Sequence, residues 1–150
     1  MSESIPRRAF VRRLPVLTAG LAAGASAASL SACAGTPYLA PRMLPDGRLL
    51  VATAEVSERG EAFLQVRGMQ RPVYLHRSDA GSWTAVLASC THRGCQPEPV
   101  GDRLACPCHG SEFSFEGDVL AGPADRPLTR YEVIEEDDRL LVLVREGGSR

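Results

Sequence analysis

From residue 48 onward, apolar positions recur with a short period. RLLVATAEV (48–56), EAFLQVR (61–67), RPVYLHR (71–77) and SWTAVLAS (82–89) each suit a strand. Turn-forming residues separate them at Ser57–Gly60, Gly68–Gln70 and Ser78–Gly81. LTRYEVIEEDDRLLVLVRE (128–146) reads as two strands around the acidic turn Glu135–Asp138, a solvated hairpin tip rather than a binding site. No amphipathic helical stretch follows residue 34, and no internal repeat is present. Six or more short strands at this spacing predict an all-β fold, a small antiparallel sandwich or barrel.

Composition agrees with that pattern. Gly (14) and Pro (11) are plentiful in 150 residues, and aromatics are only 5%, so the core rests on Val, Leu and Ala. Net charge is -1 and the cations are all Arg, so the basic footprint of a nucleic-acid binder is absent. The charge is uneven. Residues 1–32 hold Arg7, Arg8, Arg12 and Arg13 against Glu3, which is +3, and the remainder carries -4.

That basic start, IPRRAFVRR (5–13), precedes the uncharged stretch LPVLTAGLAAGASAASL (14–30). Its 17 residues, mostly Ala, Gly and Ser, suit a signal-peptide core better than a membrane span. Arg7-Arg8 before an apolar segment resembles the twin-arginine export address, whose pathway carries folded cargo; an ordinary secretory signal is the plainer alternative. Leu30-Ser31-Ala32-Cys33 resembles a lipobox, which would make Cys33 a lipidated N-terminus and account for the odd fifth cysteine. A small-residue cleavage site or an uncleaved signal anchor are the alternatives. One acyl chain holds a membrane only marginally, so firm attachment would need more chains or a partner. The expected layout is a signal over 1–32, an extended Pro-containing linker over 33–46, a folded domain over 47–146 and a tail over 147–150.

Two loops interrupt the strand pattern and concentrate the chemistry. They are Cys90-Thr91-His92-Arg93-Gly94-Cys95 and, ten residues further on, Cys106-Pro107-Cys108-His109-Gly110-Ser111. Each supplies Cys and His together, and Gly and Pro let loop backbones approach closely. Two disulfides alone would leave both His unexplained. A structural zinc site usually pairs two Cys and then two His, whereas each box here mixes the types. A thiol redox site lacks the helix that would follow it. Chance placement of two surface His is the remaining bland reading.

The paired pattern C-x-H-x-G-C and C-x-C-H-G-S resembles the Rieske iron–sulfur family, over roughly residues 47–146 and including Gly122-Pro123-Ala124. The resemblance implies a small Rieske-type β domain with two loops around a 2Fe-2S cluster. It implies that Cys90 and Cys106 bind one iron, that His92 and His109 bind the other, and that a Cys95–Cys108 disulfide joins the loops. Such a bond suits an oxidising compartment. Two thiolates and two neutral imidazoles leave the oxidised centre near zero charge, where four thiolates would leave it at -2, so this ligand set raises the reduction potential. Imidazoles on ferric iron are acidified, so electron uptake is expected to couple to proton uptake.

The resemblance also assigns supporting residues. Ser111 would donate a hydrogen bond to a cluster sulfide, and Gly122-Pro123 would lie in a loop covering the cluster, with a plain turn as the alternative. Phe113 stands where relatives often carry a sulfur-bonding Tyr, which predicts a lower potential here. Arg93 stands where quinol-oxidising relatives often carry Leu, which favours an acidic partner over quinol; a plain solvated residue is the alternative. His76 and Trp83 read as packing residues in the sheet. The expected function is one-electron transfer by an exported protein on the periplasmic side. Membrane attachment would be through Cys33 or an uncleaved anchor, as a non-catalytic subunit in a quinol–cytochrome c reductase-like or arsenite oxidase-like complex. Redox proteins, quinol or cytochrome c are the expected partners. The alternatives are a colourless zinc module and an oxygenase component; Cys95 and Cys108 weigh against the latter, and no second domain for a catalytic iron is legible.

Overall fold

Strands whose residues are apolar on both faces must be covered on both faces. The centre of this molecule is built on that requirement. The computed structural model describes residues 35–56 and 58–144. Its elements run β1 (Tyr38–Leu39), β2 (Arg42–Met43), β3 (Arg48–Ala52), a 3-10 turn (Thr53–Glu55), β4 (Glu61–Leu64), β5 (Val73–Arg77) and β6 (Trp83–Leu87). They continue with β7 (Glu98–Val100), β8 (Arg103–Ala105), β9 (Glu112–Phe113), β10 (Val119–Ala121), β11 (Arg130–Glu136) and β12 (Arg139–Leu143).

One sheet has eight strands in the order β1-β4-β5-β6-β11-β12-β3-β2. Its two edge strands are consecutive in sequence, joined only by Ala40-Pro41. Three Cα steps span at most about 11 Å, so the sheet curls until its edges nearly meet. Inside the curl, Leu49, Val51, Ala62, Leu64, Val73, Leu75, Ala85, Leu140 and Val142 form one core.

The alternate residues of β4, β5 and β6 point the other way. Phe63, Tyr74 and Val86 join Leu104, Phe113, Leu128, Cys90 and Cys106 in a second core. This core lies under a four-stranded sheet, β10-β9-β8-β7, which the two Cys–His loops flank. Residues one apart on a strand therefore serve different cores, as the period of two requires.

The fold is nearly all β, as expected, with three differences. Residues 38–39 and 42–43, read from the sequence as linker, are strands. β1 pairs parallel with β4, Phe63 N–H bonds Pro37 O (2.8 Å) and Gln65 N–H bonds Leu39 O (2.8 Å). The strand read as 48–56 stops at Ala52, because Thr53 turns to bond the Asp138 carbonyl with both its N–H (2.9 Å) and its hydroxyl (2.9 Å). The hairpin turn is tighter than Glu135–Asp138: Glu136 pairs with Arg139, and Asp137 takes a positive φ of 52°.

Candidate metal centre

The two Cys–His loops have the same backbone construction. In the first, Cys90 N–H donates to Cys95 O (2.8 Å) and Gly94 N–H donates to Cys90 O (2.7 Å). In the second, Cys106 N–H donates to Ser111 O (2.8 Å) and Gly110 N–H donates to Cys106 O (3.0 Å). Each chain reversal places its fifth residue in the left-handed region, with φ of 73° at Gly94 and 77° at Gly110. A side chain there would be strained, which is why both boxes carry Gly at that point.

The loops are locked face to face by a Cys95–Cys108 disulfide. Cys90 and Cys106 are free thiols, both buried. The sulfurs of Cys95, Cys106 and Cys108 lie within 4.8 Å of one another, so the disulfide sits against the Cys106 thiol. The imidazoles of His92 and His109 meet edge to face, with ring centres 4.7 Å apart. His109 is exposed and His92 half-buried. The site is thus graded, with the two thiols inside and the His109 imidazole at the surface.

Burial pushes both thiols up. At Cys90 it is outweighed by hydrogen bonds from the backbone N–H of His92 and from Cys106, Ser111 and the Arg93 backbone, and the thiol lies below its ordinary value. At Cys106 burial wins, and the neighbouring Cys90 adds to it, so that thiol is raised. Backbone donors aimed at a sulfur are what a bound thiolate needs.

Ser111 is fully buried, and its hydroxyl is shared. It accepts from Ala124 N–H at 3.0 Å and reaches Cys90. Ala124 follows Gly122-Pro123, so this bond ties the Pro-containing segment to the second box. Thr91 ties the same segment to the first box, donating its hydroxyl to Arg126 O at 2.6 Å. Arg71 Nε donates to Gly94 O at 2.7 Å. Sequence reading missed Thr91 and Arg71. Thr91 lies inside the first box, but its partner is 35 residues away and has no local signature. Phe113 is fully buried in the same core as the thiols. Arg93 is exposed at the loop tip.

The residues singled out elsewhere do not join the site. His76 stacks on Phe115 at 4.1 Å, and Trp83 lies beneath the Arg77 guanidinium at 5.7 Å. Cys33, the paired Arg and the tail over 147–150 lie outside the described residues.

The donor set fits a metal cluster. Two buried, mutually hydrogen-bonded thiols and two adjacent imidazoles stand on the two disulfide-joined loops, and the buried His92 Nδ1 has no hydrogen-bond partner among the described residues. Buried polar atoms are normally satisfied, so this atom is suited to a ligand. Fold and donor set together define a β-scaffolded metal-cluster protein.

Comparison with known proteins makes that specific. The Rieske 2Fe-2S domain family matches residues 48–132, and the chain belongs to that family. Its cofactor is a 2Fe-2S cluster, which sets the zinc module aside. The chain is 42% identical over 66 residues to the cytochrome b6-f complex iron-sulfur subunit of Chlorobaculum tepidum, covering 43% of this chain and 36% of that one. The match thus spans about a third of that relative. It is 30% identical over 169 residues to the cytochrome b6-f complex iron-sulfur subunit 3 of Nostoc sp., covering 94% and 86%. The crystal structure of the cyanobacterial plasma membrane Rieske protein PetC3 from Synechocystis PCC 6803 superposes with a TM-score of 0.54 at 34% identity. That superposition covers 61% of this chain and 93% of the other. Among the described residues no helix is long and apolar enough to cross a membrane.

Proposed function

We propose that this chain is an exported one-electron transfer protein that serves a membrane-associated redox complex. Cys90 and Cys106, as thiolates, would hold one iron, and His92 and His109, through ring nitrogens, the other. When bound, the cluster supplies reversible uptake of a single electron at a potential raised by the imidazole ligands. The observation that carries the reading is a buried thiol pair and an adjacent imidazole pair on two disulfide-joined loops.

The chain's own residues prepare that chemistry. Phe113, Leu104 and Leu128 wall off the thiols from water. Ser111 and the loop N–H groups point donors at Cys90. Ser111 Oγ and Thr91 hold the Gly122-Pro123 segment against both boxes. His109 is the part a partner can touch, so electron exchange belongs on that side. Export is supported by the Arg-rich, signal-like N-terminus and by a disulfide that suits an oxidising compartment. Attachment would be through a lipid on Cys33 or an uncleaved anchor, and the relatives' names, subunits of cytochrome b6-f complexes, support a cytochrome partner.

The test is anaerobic purification of the full chain with ample iron and sulfide. Visible absorbance that bleaches with dithionite, and a paramagnetic resonance signal after reduction, are expected. Cys106→Ser or His92→Ala should abolish both. A colourless protein, or a signal that survives both substitutions, overturns the reading.

A further inference from the structure

Ion pairs neutralise much of the arginine on this surface. Arg48 pairs with Asp46, Arg103 with Glu112 and Asp102, Arg126 with Asp125, Arg130 with Asp118 and Arg139 with Asp138. Arg42, Arg59, Arg67, Arg71, Arg77 and Arg93 have no such pair among the described residues, and three of them, Arg67, Arg71 and Arg93, line one continuous stretch. Two adjoining depressions, of about 520 and about 480 Å³, share the walls Met69, Gln70 and Arg71. Together they run from Arg67 past Arg71 to Arg93 and Gly94 in the first Cys–His loop. No Asp or Glu among the described residues lines either. Neither the Arg67 nor the Arg93 side chain has an acidic partner there, and Arg71 spends only its Nε, on Gly94 O. The rest of the lining is uncharged: Gln65, Gln96 and Ser89 beside Met69, Leu87 and Pro72.

A chain of net charge -1 therefore keeps three cations unneutralised in one concave track, and the track ends beside His92. Clustered, unpaired positive charge in a cleft attracts anionic surfaces. We propose that this groove docks an acidic patch of a redox protein and aligns it with the imidazole edge. The inference rests on the electron-transfer reading above. A protein suits the groove better than a membrane does, because the track is concave whereas a bilayer presents a flat charged plane.

The test follows oxidation of the dithionite-reduced, cluster-loaded full chain by a small, strongly acidic c-type cytochrome and by a strongly basic one. Arg67 is the informative residue, since it stands at the far end from the cluster loops. For Arg67→Glu at low ionic strength, the second-order rate with the acidic cytochrome should fall at least about tenfold. The difference should vanish near ~0.5 M salt, where the screening length is only a few ångströms. The rate with the basic cytochrome should hold or rise, and visible spectrum and midpoint potential should stay unchanged. Adding Arg93→Gln should deepen the loss.

An unchanged rate with the acidic cytochrome overturns the proposal. So does a variant that keeps that rate but detaches from phosphatidylglycerol vesicles, which would make the track a membrane-facing surface. A reduced protein with no cluster spectrum fails at the earlier step, and both readings fall with it.

Discussion

Phe113 and His76 show how much rests on single side chains. Phe113 is fully buried in the same core as Cys90 and Cys106, so a hydroxyl added there enters the core that holds the sulfurs. A donor to sulfur favours the electron-rich state. Phe113→Tyr should therefore raise the midpoint potential on the order of 40 mV, the one-electron equivalent of about 1 kcal/mol of differential hydrogen bonding. Redox titration checks the direction; a fall would remove Phe113 from potential tuning. His76 tests burial instead. Burial holds its imidazole below the usual value, against the pull of Glu116, Glu61 and Asp79. A depressed histidine binds fewer protons folded than unfolded, so its contribution is complete above the unfolded value of about 6.5 and lost as pH falls below it. His76→Phe keeps the stack on Phe115 and cannot titrate. Thermal melts between pH 7.5 and 5 should show a smaller acid-side loss of Tm in that variant than in the parent.

At the scale of elements, the two loops are symmetric in backbone but not in support. The first leans on Arg71, the second on Ser111, and the Pro-containing segment bridges them. The covalent link between them closes a loop with a sequence separation of 13. Removing it with Cys95→Ser should cost about 3 kcal/mol by loop-closure entropy. It also frees the loops to part, so the visible absorbance of the loaded protein should decay faster under a chelator. Equal decay rates would mean the thiols and imidazoles hold the loops unaided. Much of this was legible beforehand. The C-x-H-x-G-C and C-x-C-H-G-S spacings mark out both loops and their disulfide pair, because positive-φ glycines and adjacent donors are local requirements. Thr91, Arg71 and the strands β7 to β10 were not legible. The strands are two or three residues long, one begins Glu98-Pro99, and so short a run shows no period.

For the molecule as a whole, residues 35–46 are structural. β1 and β2 are the two edges of the curled sheet, and Thr36 donates to the buried Glu61 at 3.1 Å. Truncation to start at Gly47 should cost about 3 kcal/mol or more, counting roughly 1 kcal/mol for each lost hydrogen bond. Urea unfolding of the truncated and full chains measures it, and equal midpoints would restore the linker reading.

The sequence by itself determined the β class, the two cysteine–histidine boxes and the turns that carry them, since strand periodicity, cysteine–histidine spacing and left-handed glycines are written within a few residues. Only the tertiary structure decided that one pair of strand faces serves two cores, that Ala40-Pro41 draws the sheet edges together, and which distant carbonyls Thr91 and Arg71 reach. It also decided which arginines stay unneutralised along the groove. These are relations between residues tens of positions apart, and the physics that settles them acts only once the chain is closed on itself.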